Sequence, residues 1–370
     1  MSSRRQFLGA AAAGATAFAL RPVFSRNCLA APAPGDGEHV HLNYNESPYG
    51  PSPKALQAMR HALGSCGRYY ADSDYDELRG LLARHHGLAA ENIWMGAGST
   101  EILKLCDDVF LQQPRLVAAE PAYDAVIGYA VNSRARAVKV PLTKDFRHDL
   151  DRMAEAAARD TGMIYVCNPN NPTGTIVTKD EMRRLLDRVP ESVAVVVDEA
   201  YSHFVTAPEF ESAIRYVKEG RNVVVARTFS KIYGLAGMRV GYAVAKKQLI
   251  EQLRPRGVHW AISSLAAHAA AAALADREHV ERAARLNRLR LDELHDEMKR
   301  AGFEVIPSQA NFAMIHVRQP VAPLIAEFAK RKVLVGREFK PMSDYLRVTM
   351  GTEEEMKRFF AAFREVVRSS

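Results

Sequence analysis

Thr228-Phe-Ser-Lys-Ile-Tyr-Gly-Leu-Ala-Gly-Met-Arg239-Val-Gly is the stretch on which the reading of this chain turns. It follows an apolar run, Val223 to Ala226, with the pattern of a buried strand. A lysine at the end of such a strand, among small and apolar neighbours, loses hydration, and its charged form is disfavoured. The neutral amine is a nucleophile of the kind that attacks carbonyl carbons. Thr228 and Ser230 place hydroxyls beside Lys231, and Arg239 offers a planar cationic fork suited to a phosphate. Taken alone, the stretch also reads as a surface lysine in a glycine-rich loop, so its neighbours in the fold must decide.

Two further segments bear on it. Met163-Ile-Tyr-Val-Cys-Asn-Pro-Asn-Asn-Pro-Thr-Gly174 is a short strand running into a turn-forming loop, and Val193-Ala-Val-Val-Val-Asp-Glu-Ala-Tyr201 is a strand ending in a carboxylate and a phenol. Between them Thr178-Lys-Asp-Glu181 has the form of a capping box, opening a helix expected to end near Val189, before Pro190. Strand, helix and strand at this length make a parallel βαβ unit, whose ligands bind at the carboxyl ends of the strands. Asn171, Asp198, Tyr201 and Lys231 all fall at such ends. A reactive amine, an anion cradle and a carboxylate able to keep a pyridine nitrogen protonated point together to pyridoxal phosphate (PLP).

The chain resembles the fold-type I, PLP-dependent aminotransferases, and within them the histidinol-phosphate aminotransferase family. The matching segments follow family order over roughly residues 41 to 365. They are Asn43 to Pro53, Arg68-Tyr-Tyr-Ala-Asp72, Gly96-Ala-Gly-Ser-Thr-Glu101, Pro121-Ala-Tyr123, Asn168 to Gly174, Asp198-Glu-Ala-Tyr201, Ser230 to Arg239, Ser308-Gln-Ala-Asn-Phe312 and Tyr345-Leu-Arg-Val-Thr-Met-Gly351. The resemblance implies that Lys231 carries the cofactor covalently, Asp198 pairs with its ring nitrogen, and Tyr201 and Asn171 hold its O3 oxygen. Tyr123 would stack on the ring. Ser99, Thr100, Thr228, Ser230 and Arg239 would hold the phosphate, helped by N–H groups of a helix starting near Ser99. Tyr70 would reach the phosphate of a neighbouring subunit's cofactor, which implies a homodimer with shared sites. Tyr49, Asn171, Arg347 and Arg337 would face the substrate, with Arg347 gripping its acidic group. In the family an arginine usually follows the Val-Leu-Val strand directly. Here Gly336 stands there and Arg337 comes one place later, where a strand side chain would point to the opposite face.

The expected fold class is α/β: a large, mostly parallel sheet domain with helices on both faces, over residues 65–262, and a smaller α+β domain with its connecting helix over 263–370. Parallel-strand candidates are Ile93-Trp-Met, Leu116-Val-Ala, Ile164-Tyr-Val, Ala194 to Val197, Val223 to Ala226 and Gly241 to Val244. One helical segment is expected over Ser263 to Arg300. Residues 31–64 read as a linker and an arm that packs on the small domain and brings Tyr49 over the site. Ser3-Arg-Arg-Gln-Phe-Leu8, the mild apolar stretch to Leu20 and the small residues near Ala30 resemble a twin-arginine export signal over residues 1–30, too weakly apolar for an anchor. The translocase is then an expected partner, with a periplasmic or otherwise exported location, against a cytoplasmic alternative.

The formal charge of +7 is spread among acids, as in Glu281 to Arg290, which reads as a solvated helix face rather than a nucleic-acid patch. The 4 cysteines and the His85-His86 pair have no metal-ligand spacing, so no metal is expected. The activity expected is transfer of an amino group between an amino donor and a 2-oxo acid by a ping-pong mechanism. The rivals are decarboxylation of an amino-acid phosphate on the same cofactor and a non-catalytic PLP carrier or sensor.

Overall fold

The computed structural model describes residues 39–67 and 72–367, which belong to one compact unit spanning Pro32–Ser370. The paired arginines of the N-terminus and Tyr70 lie outside the described residues. The strands in chain order are β1 (Val40–Leu42), β2 (Ile93–Ala97), β3 (Arg115–Glu120), β4 (Arg136–Pro141), β5 (Thr161–Cys167), β6 (Ala194–Asp198), β7 (Val223–Thr228) and β8 (Val240–Ala245), then β9 (Glu304–Val305), β10 (Phe312–His316), β11 (Val333–Val335) and β12 (Tyr345–Thr349). A 7-stranded sheet has the order β2-β8-β7-β6-β5-β3-β4, and a 3-stranded antiparallel sheet the order β12-β10-β9.

The interior of the large sheet is written in its residues. Every position of β5, β6 and β7 is buried, which is why these strands are continuous apolar runs rather than alternating ones. The helix after β5 starts as expected. Thr178 Oγ1 accepts from the Glu181 N–H at 3.3 Å, Glu181 Oε2 accepts from the Thr178 N–H at 2.7 Å, and the helix runs Lys179–Arg188. A second apolar core, with Leu42, Leu291, Phe328, Val348 and Phe359, joins β1, β10, β11 and β12 to the helices Arg277–Arg300, Val321–Lys330 and Glu353–Val366.

Several expectations need correction. β8 is not parallel: it pairs antiparallel with both β7 and β2. The chain between β7 and β8 holds only a short 3₁₀ turn, and a parallel return needs a long crossover. β4, an edge strand of mixed polarity, escaped the apolar pattern. The helical segment 263–300 is two helices, Ser264–Ala275 and Arg277–Arg300, broken at Asp276, whose ψ of 68° leaves the helical region. The carboxylate of Asp276 accepts from Lys54 Nζ at 3.0 Å. β11 joins β1 in a parallel pair rather than the 3-stranded sheet, and Val40 and Leu42 of β1 lie in the second apolar core.

Strand direction places the site. β2, β3, β5, β6 and β7 all run one way, so Gly98, Pro121, Asn168, Asp198 and Thr228 leave the sheet at one edge. Because β8 runs the other way, it begins at that same edge, and Arg239, just before it, arrives there too.

Candidate active site

A cleft of about 660 Å³ opens at this edge. It brings together Ser99, Thr100, Tyr123, Asn171, Asp198, Tyr201, Thr228, Ser230, Lys231, Arg239, Arg337 and Arg347. Tyr49 is placed elsewhere. It faces a small cavity with Ser47, Phe204, Asn287 and Met350, so within one chain it does not reach the cleft. The arm enters instead through Asn43, Tyr44, Asn45 and Glu46.

Lys231 sits half-buried on the cleft floor, its Nζ donating to the Tyr44 carbonyl at 3.0 Å and lying 5.8 Å from the centre of the Tyr201 ring. Burial, then the nearby Arg347 charge, lowers its pKa to about 8 against the opposing pull of Glu46 and Asp198. The amine is therefore partly neutral near physiological pH.

Asp198 is buried at the end of β6. Its Oδ1 accepts from the Ala200 N–H at 3.1 Å and its Oδ2 from the Tyr165 hydroxyl at 3.1 Å. Burial pushes its pKa up to about 6, opposed by those hydrogen bonds and by Lys231. A cationic ring nitrogen alongside would favour the ionised form. Tyr201 accepts from Asn45 Nδ2 at 3.1 Å, and Asn45 is itself locked to Thr349.

The other end of the cleft is an anion cradle. The helix Ser99–Phe110 begins there on Gly98, whose φ of 81° an L side chain resists. Its first-turn N–H groups have no partner within the helix. Thr228 Oγ1 donates to Ser230 Oγ at 2.9 Å, and Arg239 Nη1 reaches Ser230 Oγ at 3.3 Å. A Cβ on Gly98 would overlap the Arg239 guanidinium, so the glycine is what lets that group lie against the helix end. Among these residues a phosphate, a protonated ring nitrogen and a carbonyl carbon each meet matching chemistry: donors and a cation, a buried carboxylate, and a partly neutral amine. The residues fit PLP.

Arg347, on β12, is buried. Its Nη1 donates to Asn171 Oδ1 at 2.6 Å and its Nη2 to the Asn43 carbonyl at 2.7 Å, while Nε has no partner. Burial lowers its pKa to about 10, which leaves it charged at neutral pH. Gly336 packs on it: a Cβ there would stand 2.9 Å from the Arg347 Cβ. The departure at 336 thus makes room for Arg347, and Arg337 reaches the cleft from the next position, paired with Asp124.

Sequence reasoning missed several contributors. Tyr165 lies mid-strand between Ile164 and Val166, where a phenol reads as a strand former; its buried hydroxyl needs a partner, but the sequence does not say which. Asn45 lies in a segment matched to the family without a role assigned. His148 Nε2 contacts Asn170 Oδ1 at 3.0 Å, and Asn170 Nδ2 donates to the Pro121 carbonyl at 3.2 Å, tying the loop of Tyr123 to the loop of Asn171. Of the cysteines, Cys66, Cys106 and Cys167 are free.

The family profile described as aminotransferase class I and II matches residues 38–363. A histidinol-phosphate aminotransferase of Symbiobacterium thermophilum is 40% identical over 331 residues, covering 88% of this chain and 90% of its own. One from Moorella thermoacetica is 38% identical over 331 residues, covering 89% and 85%. The crystal structure of histidinol-phosphate aminotransferase from Sinorhizobium meliloti in complex with pyridoxal-5'-phosphate superposes with a TM-score of 0.82 at 26% identity, covering 88% of this chain and 90% of that one.

Proposed function

This chain belongs to the aminotransferase class I and II family and is a PLP-dependent transaminase of the fold-type I class; from that premise we propose how its own residues divide the work. When bound, PLP would supply a carbonyl carbon for the donor's amino nitrogen and a ring able to draw electrons from the donor's α-carbon. Lys231 Nζ would anchor the cofactor, and once displaced by the donor it would carry the proton from the donor's α-carbon to the cofactor's C4′ carbon. Asp198, steadied by Tyr165, would hold the positive ring nitrogen. Tyr201 and Asn171 would hold O3, Tyr123 would cover the ring, and the Ser99–Thr100–Thr228–Ser230–Arg239 cradle would fix the phosphate. Arg347 would grip the donor's anionic group and exclude water around it. Water would release the first product as an oxo compound, a 2-oxo acid where the donor is an amino acid, leaving the same site for the acceptor and giving ping-pong kinetics.

The observation that carries this reading is that Lys231 shares one cleft with the buried carboxylate of Asp198 and with the anion cradle. The decisive experiment is an amino-donor and oxo-acid screen on PLP-loaded protein lacking residues 1–30. At least one donor should transfer nitrogen to a 2-oxo acid, and Lys231→Ala should abolish it. Release of CO₂ from an amino-acid phosphate with no nitrogen transfer would establish the decarboxylase reading instead. We propose further that histidinol phosphate, the donor named in the relatives, ranks below at least one unphosphorylated amino acid, because Arg337 is engaged by Asp124. The same panel ranks them by kcat/KM.

The paired Arg4-Arg5 ahead of a mild apolar stretch supports export by the twin-arginine route, which carries folded proteins and so suits an enzyme loaded with cofactor in the cytoplasm. Changing both arginines to lysine should leave the chain in the cytoplasm, folded and PLP-bound; unchanged fractionation would overturn the export reading. The match of Tyr70 supports a homodimer in which each copy completes its partner's site.

A further inference from the structure

The cleft mouth is bridged by an ion pair. Asp124 follows the ring-covering Tyr123 on the large-sheet side, and Arg337 follows β11 on the opposite side; Arg337 Nη2 and Asp124 Oδ2 are paired. Asp124 stands at the N-cap of the helix Ala125–Asn132, where an aspartate ordinarily accepts from the helix's own N–H groups. It makes no such bond. Its carboxylate is turned across the cleft instead. Arg337 is held in place twice more. Its Nη1 donates to the Glu338 carbonyl at 2.9 Å, and its guanidinium lies 4.2 Å from the centre of the Phe339 ring. Arg347 lies 4.6 Å from the centre of the same ring. Beyond the gripping arginine, a substrate therefore meets an apolar ring and then a cation already matched by an anion.

We propose that Asp124 is a specificity-determining residue: by holding Arg337 it withholds a second cation from the substrate, so that the enzyme selects donors whose one anionic group, for Arg347, is a singly charged carboxylate and whose far end is uncharged or cationic. This deepens the transaminase reading and rests on it. A second anion near Arg337 must displace the Asp124 carboxylate or lie beside it, and like charges at that range repel. The field of the pair already reaches the gripping residue, since Arg337 pulls the Arg347 pKa down and Asp124 pulls it up. Both side chains of the pair are more than half exposed, at 55% and 62%, so the discrimination is modest.

Glutamate and glutamine form the test pair, being nearly isosteric and differing in one charge. They are measured as donors, or as competitive inhibitors of the best donor found if neither is turned over. Wild-type holoenzyme should favour glutamine. In Asp124→Asn the glutamate-to-glutamine ratio should rise by about fivefold, the factor that separates an exposed ion pair from none. In Arg337→Gln glutamate should be disfavoured at least as strongly as in wild type. A ratio unchanged in Asp124→Asn overturns the inference while leaving the transaminase reading intact. Absence of nitrogen transfer from every donor strikes at that reading, and the ratio of glutamate to glutamine affinity for the holoenzyme, read by titration of the cofactor absorbance, then decides whether Asp124 sorts ligands by charge.

Discussion

At the scale of the residue, the chemistry turns on how far the protein moves one amine. Lys231 is brought to about 8 by burial and by Arg347. Its protonated form predominates below that pH and its neutral form above it. Capture of PLP by the cofactor-free chain should therefore speed up as pH rises, with a midpoint near 8 and not near the ordinary lysine value. The rate of appearance of the bound-cofactor absorbance across a pH series checks this. Arg347→Ala should move the midpoint upward, since it removes the second-largest cause of the shift. A midpoint near 10 in the unaltered protein would show that the amine is better solvated than its surroundings indicate. Lys231, Asp198 and Asn171 are legible in sequence because each lies at the end of, or a few residues after, a strand that is visible as an apolar run. Tyr165 and Asp124 are not. Each has an ordinary local reading, strand former and helix cap, and only the folded chain shows which partner each has taken instead.

At the scale of the element, the anion cradle depends on a glycine between a strand and the helix that follows it, and on the reversed direction of another strand. Gly98 holds a left-handed φ of 81° with the Arg239 guanidinium against it. Gly98→Ala should strain the backbone by about 1–2 kcal/mol and push that guanidinium away. We expect PLP affinity to fall by at least tenfold, about 1.4 kcal/mol, with the fold retained. Titration of the cofactor by fluorescence, beside a thermal melt, separates the two effects. Affinity equal to wild type would mean the helix end and hydroxyls suffice without Arg239. The capping box at Thr178 and the buried strands are plain in the sequence because their signals are local. The direction of β8 is not, because it depends on what the loop between Thr228 and Val240 lacks, namely a crossover helix. The break at Asp276 is likewise hidden, since the residues on both sides of it are good helix formers.

At the scale of the whole molecule, the proposed dimer can be tested by complementation. If Tyr70 serves the partner's site, a mixture of inactive Tyr70→Ala and Lys231→Ala chains should recover part of the activity, up to about a quarter of the wild-type level. That ceiling follows from random pairing, in which half the dimers are hybrids with one intact site of two. Refolded mixtures assayed against each variant alone give the answer, and a fully active monomer in sedimentation would end the idea. One long-range feature bears on how such a molecule is made. Val40 pairs with Val333, and the Asn45 N–H donates to Thr349 Oγ1 across 304 positions of chain. The ribosome delivers Asn45 before the central sheet, which is complete in sequence by residue 245, and Thr349 only about a hundred residues after it. A nascent chain can thus assemble the cradle and present Lys231 well before the arm has anywhere to dock. The wall formed by Asn43 to Glu46 can close only once β12 is in place, so the cleft stands open to arriving cofactor until then.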